Sequence, residues 1–358
     1  MSNFVFVLDT NKQPLEPVTP GLARRMLNQG KAAVYKRYPF TIILNYSCDK
    51  PLTKSHEIKI DPGSKTTGLA VLQGDKIIWA AELVHRGNHI TCDLASRSAI
   101  RRNRRNRKTR YRQPRFLNRT RTPGWLPPSL ASRVSNIVTW VNRLRRYVPV
   151  TAISQELVKF DTQAMQFPEI SGIEYTQKGG SSRVSNLTLA CRNCNLAKGN
   201  RDITDFLSEK PDILSRVLKF ACLPLKDAAA VNSTRRVLFE KLQQTGLPVT
   251  TGTGGQTQYN RTRMGLPKSH WLDAACVGKV KQLVILTRQP LLITAKGWGN
   301  RQMCTPNKYG FPSKHRTRCK TFFGFQTAWG KISPVRHKYC KTVHRNDGYM
   351  YGFSTLVR

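Results

Sequence analysis

The run HEIKIDPGSKTTGLAVLQGDKIIWAAEL, residues 56–83, constrains the fold more than any other part of the chain. Short apolar stretches broken by turn signals at Pro62-Gly63 and Gly74-Asp75 predict three strands joined as an antiparallel set. Asp61 stands alone among apolar neighbours where the first of these strands ends. The pattern of a strand followed by an acid returns downstream. An amphipathic helix over SLASRVSNIVTWVNRLRRY leads into a β-rich run, VTAISQEL, that ends near Glu156. A third acid belongs to a helix: Ser269 suits the N-cap of HWLDAACVGKV, where His270 and Asp273 stand at i and i+3 and point the same way. Strands alternating with helices make this an α/β chain.

Each acid has an ordinary reading by itself. Asp61 before Pro-Gly suits a turn, Glu156 suits a strand edge, and Asp273 in a first helical turn suits the macrodipole. Together, two carboxylates at strand ends and an Asp with a His on a facing helix suffice to hold two divalent ions about 4 Å apart, one activating water and one stabilising the leaving oxygen of a phosphodiester. An all-oxygen donor set from Asp61, Glu156 and Asp273 selects Mg²⁺, with Mn²⁺ substituting, over zinc. His270 is the candidate general base or orienting group, since its ordinary pKa lies near neutrality.

Charge names the partner class. Against 20 acids stand 60 Lys and Arg, a formal +40 in 358 residues, which draws polyphosphate and first of all nucleic acid. The excess is densest at SRSAIRRNRRNRKTRYRQPRFLNRTR, residues 96–121, which holds no acid. We expect an arginine helix there, lying on nucleic acid and ended by Pro114, with Arg97, Arg101, Arg102, Arg104, Arg105, Arg107, Lys108, Arg110, Arg112 and Arg115 as its contacts. Ile100, Tyr111 and Phe116 are available for packing, unlike in a solvated tail. No run reaches the roughly 18 apolar residues of a membrane span, and the start MSNFVFVLDTNKQ lacks a signal-peptide pattern. Nine irregularly spaced Cys suit reduced thiols, so a cytoplasmic protein with no membrane partner is expected.

Residues 1–46 read as a small basic β-containing module with a helical LARRML segment. Residues 201–247 are helical in pattern, and TGTGGQTQYNRTRMGLPKS reads as a Gly-rich loop. In 296–325 basic and aromatic residues interleave, and 326–358 read as short strands. Lys308, Tyr309, Lys314, Arg316 and Arg318 are candidate nucleic-acid contacts there; Tyr309, Phe311, Phe322, Phe323 and Phe325 either stack on bases or build a small core. His315, His337 and His344 with Cys304, Cys319 and Cys340 have no recognisable zinc spacing, and no metal is assigned to them.

Five motifs in order, IKIDPGSKTTGLAVL, RRNRRNRKTRYRQPRFLNR, GWLPPSLASRV, SQELVKFDTQAM and GTGGQTQYNRTRMGLPKSHWLDAACVG, resemble the IscB family of transposon-encoded RNA-guided nucleases. The resemblance implies an RNase H-like RuvC core split into three parts, with Asp61 in the first, Glu156 in the second, and His270 and Asp273 in the third. It implies a PLMP-type domain at 1–50, RuvC parts at 51–95, 122–177 and 203–295, an arginine-rich bridge helix at 96–121, an HNH remnant at 178–202 and a small β-rich domain at 296–358. That last domain is expected to contact the RNA scaffold and a short DNA motif beside the target. One departure lies in the PLMP signature, which here reads Pro14-Leu15-Glu16-Pro17.

A larger departure is the stretch EYTQKGGSSRVSNLTLACRNCNLAKGN, which matches only the C-terminal half of the family's HNH domain and resembles the HNH-less IsrB group in what it lacks. Asn186 and Asn195 survive from the motif, while the catalytic His and two of four zinc ligands are missing. Cys191 and Cys194 bind zinc only if the domain is complete; otherwise they are two thiols in a leftover loop. The expected partners are a guide (omega) RNA and double-stranded target DNA with an adjacent motif, in a monomeric ribonucleoprotein of the bacterial cytoplasm. The expected activity is a RuvC nick of the non-target strand. Two alternatives keep nuclease chemistry: an HNH domain outside this chain, giving double-strand cleavage, and an RNA-independent resolvase. A third is a catalytically silent RNA-binding scaffold.

Overall fold

The computed structural model describes residues 2–49, 51, 53–106, 122, 124–157, 192–199, 201, 203–220, 225–297, 304–307, 312–315, 321–322, 325–326 and 346–353. Its first unit comprises β1 (Phe6–Leu8), α1 (Pro20–Asn28), β2 (Ala32–Lys36) and β3 (Thr41–Leu44), with strands in the order β1-β3-β2. Thr19 starts α1 by accepting a hydrogen bond from the Leu22 amide at 3.4 Å, and Pro20 follows at the first helical position, where its missing N–H costs nothing. Alternation along β1 splits its side chains between two cores. Val5 and Val7 face Ala23, Ile42 and Leu44 of their own unit, whereas Phe6 and Leu8 enter the main core. The ring of Phe6 lies 6.0 Å from that of Trp79, and the Asn3 amide pairs in both directions with the backbone of Ala80.

Glu16, the departure from the PLMP signature, sits at the join between this unit and the main sheet. Its carboxylate accepts from the Lys54 amide at 3.1 Å and from the Gln73 side chain, and it lies 3.9 Å from His56 Nε2. A Met there would leave these donors without their acceptor.

The main sheet begins with β4 (His56–Asp61), β5 (Thr66–Gln73) and β6 (Lys76–Val84), antiparallel as the turn signals predict. Then come α2 (Gly87–Asn106), α3 (Pro128–Tyr147), β7 (Val150–Glu156), α4 (Arg192–Lys198), α5 (Ile203–Phe206), α6 (Pro211–Phe220), α7 (Leu225–Gln243), β8 (Val249–Gly252), α8 (Gly254–Arg263) and α9 (His270–Ala275). The remaining elements are β9 (Val284–Ile285), β10 (Leu291–Ala295), β11 (Cys304–Pro306), β12 (Pro312–His315), β13 (Thr321–Phe322), β14 (Phe325–Gln326) and β15 (Tyr349–Phe353). The sheet runs β15-β10-β6-β5-β4-β7-β8, with β7 parallel to both β4 and β8. Numbered from β4, its central five strands are ordered 3-2-1-4-5 with only the second reversed, which is the RNase H-like arrangement. β10 and β15 extend the sheet beyond that core.

Helices cover both faces. α3 lays Val134, Ile137, Trp140, Val141 and Leu144, all buried, against one face, each contributing about 1.5–3 kcal/mol by area. Trp140→Ala would cost about 3–5 kcal/mol through the cavity it leaves. The other face carries α9, whose Trp271, Leu272, Ala274 and Ala275 bury against Ala70, Leu72, Ile77 and Ala80. β15 is tied to α3 by Arg143, which donates to Asp347 at 2.6 Å and to the Tyr351 hydroxyl at 2.9 Å. Among the described residues no helix is long and apolar enough to cross a membrane.

Five details differ from the sequence reading. TGTGGQTQYNRTR is not a loop: it supplies β8 and α8, because Thr253 caps the helix by accepting from the Gln256 amide at 3.2 Å, which offsets the two leading glycines. α9 is shorter than HWLDAACVGKV and ends at Ala275. Ser269 occupies its N-cap position without a side-chain capping bond. The arginine helix starts at Gly87, upstream of the arginines, and Tyr349–Phe353 joins the main sheet.

Candidate active site

β4 and β7 run parallel side by side, with Ile60 opposite Gln155. Asp61 and Glu156 therefore close neighbouring strands at the same carboxyl-end rim, where open α/β sheets place their ligands. α9 brings Asp273 over this rim because β5 carries Gly68, directly opposite Asp61 in the ladder. A Cβ on Gly68 would collide with the His270 carbonyl, so glycine sets how closely the helix approaches. The C-terminal end of α9 is fixed by buried donors. Lys59 Nζ donates to Val277 O at 2.8 Å, and the Asn260 amide to Cys276 O and Gly278 O, each at 2.9 Å. These bonds pin Cys276, Val277 and Gly278, the residues that directly follow a six-residue helix with little stability of its own.

Two arginines hold two of the three acids. Glu156, 7% exposed, accepts from Arg235 Nη2 of α7 at 3.1 Å. Arg235 is 3% exposed, and its backbone carbonyl is in turn held by Gln155 Nε2 at 3.1 Å. Asp273 accepts from Arg261 Nη1 of α8. Burial raises the pKa of Glu156, with Arg235 and a hydrogen bond from Thr257 opposing it. Asp61 has no ion pair among the described residues. Burial first, then the charges of Glu156 and Asp273, push its carboxyl up to about 8, against the weaker pull of Arg235 and Arg261. Burial pushes the neighbouring Cys276 thiol up to about 11, and the Asp273 charge adds to it.

The rim thus gathers oxygen donors whose mutual repulsion a divalent cation would relieve, the donor chemistry suited to Mg²⁺ or Mn²⁺. Among the described residues no three His, Cys, Asp or Glu side chains stand close enough to share an ion directly. Arg261 and Arg235 occupy the counter-ion positions instead. Charge and donor type fit a metal; the Arg261–Asp273 pair must open to admit it. His270 is exposed in the first turn of α9, and its backbone carbonyl is the group that closes on Gly68.

Sequence reading thus placed Asp61, Glu156, His270 and Asp273 at one site and missed Arg235, Arg261, Thr257, Lys59 and Asn260. A signal for Arg235 was present: it falls on the apolar stripe Val231, Leu238 and Leu242 of α7, where a charge requires a buried partner. Arg97, Arg101 and Arg102 lie exposed on α2, which also includes Arg104 and Arg105; Arg107, Lys108, Arg110, Arg112 and Arg115 lie outside the described residues. Cys194 is exposed on α4, which includes Asn195, and Cys191 and Asn186 lie outside. Lys314 is exposed on β12, and Lys308, Tyr309, Arg316 and Arg318 lie outside.

Comparison with known proteins gives two family matches. The family described as RRXRR protein matches residues 5–179, and HNH endonuclease matches 173–201, so that together they reach from residue 5 to residue 201. No curated protein matches. Solved structures similar to the chain include Thermus thermophilus RuvC in complex with Holliday junction substrate and Thermus thermophilus RuvC itself. Each is 13% identical with a TM-score of 0.25; 62% of this chain is covered, with 89% of the first and 90% of the second.

Proposed function

We propose that this chain, which matches the RRXRR family over residues 5–179 and the HNH endonuclease family over 173–201, is an RNA-guided DNA endonuclease of the IscB type that cuts at the rim of Asp61, Glu156 and Asp273. The observation that supports this most is the convergence of three carboxylates at one end of an RNase H-like sheet, close enough that the charges of Glu156 and Asp273 add to burial in raising the pKa of Asp61. Asp61, Glu156 and Asp273 would hold Mg²⁺ or Mn²⁺. The metal supplies, when bound, a more acidic water and a charge to stabilise the leaving oxygen of a phosphodiester.

The chain's own side chains do the rest. Asp61 would present a carboxylate to such an ion, its proton passing to solvent water. Arg235 keeps Glu156 ionised and fixed in a buried setting, and Lys59 and Asn260 hold α9 so that Asp273 and His270 keep their aim. His270, exposed to the substrate side, accepts the proton of the attacking water at an imidazole nitrogen. α2 offers Arg97, Arg101 and Arg102 to the RNA backbone, and base pairing by that RNA selects the DNA. If the arginine run neutralises about eight phosphates, log affinity changes with log salt by a slope of roughly −6 to −7.

The HNH segment lacks the family's catalytic His, so we assign it no cleavage, and the product is a nick in the displaced, non-target strand. The test is a cleavage assay with the co-purified RNA and target DNA labelled separately on each strand. Asp61→Ala should abolish the nick while RNA and target binding persist. A nick that persists in Asp61→Ala overturns the assignment of the site, and protein that purifies free of RNA at moderate salt overturns RNA guidance.

A further inference from the structure

A cavity of about 360 Å³ opens where α1 and the turn before β3 meet the edge of the main sheet, and none of the rim acids lines it. Its floor is apolar, formed in part by Trp79 and Leu291, each 2% exposed. Its mouth is different. Phe40 is 40% exposed and Phe353 is 52% exposed, two aromatic side chains left open to solvent. Tyr38 also lines the cavity, stacked on Tyr351 at 4.4 Å between ring centroids and 6.5 Å from the ring of Phe353.

Arg24 and Arg37 also line the cavity, no acidic side chain does, and the Arg37 guanidinium lies 5.3 Å from the centre of the Tyr38 ring. An apolar slot with open aromatic faces and cations at its lip fits a planar base whose flanking phosphates stay outside. Its volume is in the range of small-molecule sites.

We propose that this cavity binds a single unpaired nucleotide of RNA, its base between Phe40 and Phe353 and its phosphates at Arg24 and Arg37. The inference rests on the RNA-binding part of the proposed function. It assigns to the first unit a base-binding role separate from the arginine helix. RNA is favoured over duplex DNA because loops and bulges of folded RNA present bases already unstacked, whereas a duplex base must first be extruded.

The full chain is irradiated with short homopolymeric oligoribonucleotides of each base and with their deoxy counterparts, and the crosslinked peptides are mapped by mass spectrometry. We expect ribonucleotide crosslinks on the peptides of Tyr38 and Phe40 or of Phe353. Phe40→Ala and Phe353→Ala should each reduce them about tenfold. Crosslinks to the arginine helix should stay unchanged. Arg37→Gln, an exposed side chain, repeats the test without touching the apolar floor, so a folding defect in either Phe variant leaves a result. Crosslinks at the arginine helix with none at the cavity overturn the proposal and leave RNA binding intact. Deoxynucleotides that crosslink the cavity as well as ribonucleotides overturn its choice of RNA. No ribonucleotide crosslink anywhere overturns the RNA reading itself.

Discussion

Arg235 on α7 and Arg101 on α2 carry the same guanidinium into opposite surroundings. Arg235 is buried with Glu156 as its partner, whereas Arg101 lies exposed with Arg97 and Arg102 beside it. The first has been taken out of water and must keep its acid; the second remains hydrated and can be given to phosphate at small cost. Among the described residues the same group thus serves two ends, one paired inside the fold and one left in water.

The comparison breaks most sharply at Arg235. Arg235→Met leaves Glu156 buried and unpaired, and should cost about 3–5 kcal/mol in urea unfolding. Arg235→Met with Glu156→Gln should recover much of that, since no charge is then stranded. A loss below about 1 kcal/mol in the single variant would mean the buried pair is no different from the surface arginines.

Asp61 supplies the case of a half-buried acid with no arginine in contact among the described residues. Its folded pKa, about 8, is above that of the unfolded chain, so the folded state binds the extra proton between about pH 4 and 8 and stability falls as pH rises through that window. Asp61→Asn removes that dependence. Without divalent metal it should be more stable than the parent above pH 8 by more than about 1.4 kcal/mol, the worth of one pKa unit. The difference should shrink towards pH 4. Thermal unfolding across this range, with metal chelated, checks the sign.

The exposed group should behave in the reverse manner. Arg97, Arg101 and Arg102 changed together to Gln should leave stability within about 0.5 kcal/mol per site, yet make the slope of log RNA affinity against log salt shallower by about 2 to 3. An unchanged slope would remove α2 from the RNA contact.

Arg261 is intermediate, partly exposed and paired with Asp273. Arg261→Gln should cost about 1 kcal/mol or less and, by removing a competing cation, tighten Mn²⁺ binding about fivefold in calorimetry. Weaker Mn²⁺ binding would make Arg261 a support of the metal site.

The carboxylates were legible because each is an acid placed where apolar periodicity ends, and strand ends and helix starts can be read locally. The three antiparallel strands were legible for the same reason, since Pro62-Gly63 and Gly74-Asp75 punctuate them. What escaped depends on distant partners. Val249–Gly252 becomes a strand only because β7 offers it an edge, and Gly254 and Gly255 hide a helix that Thr253 caps. Arg235 and Arg261 look like surface charges until α7 and α8 are set against the rim. The Glu16 departure looked like loss of a signature; in the fold it is a three-way junction between units.

β10 and β15 are adjacent antiparallel strands with Ala295 opposite Tyr349, and the amides of Lys296 and Gly297 both donate to Gly348 O at 2.8 Å. The chain therefore leaves the main sheet at Ala295 and returns to it at Tyr349, directly opposite. This joint lies on the β6 side of the sheet, whereas Asp61, Glu156 and Asp273 stand on β4, β7 and α9. A change at the joint should leave the register of β4 with β7 in place.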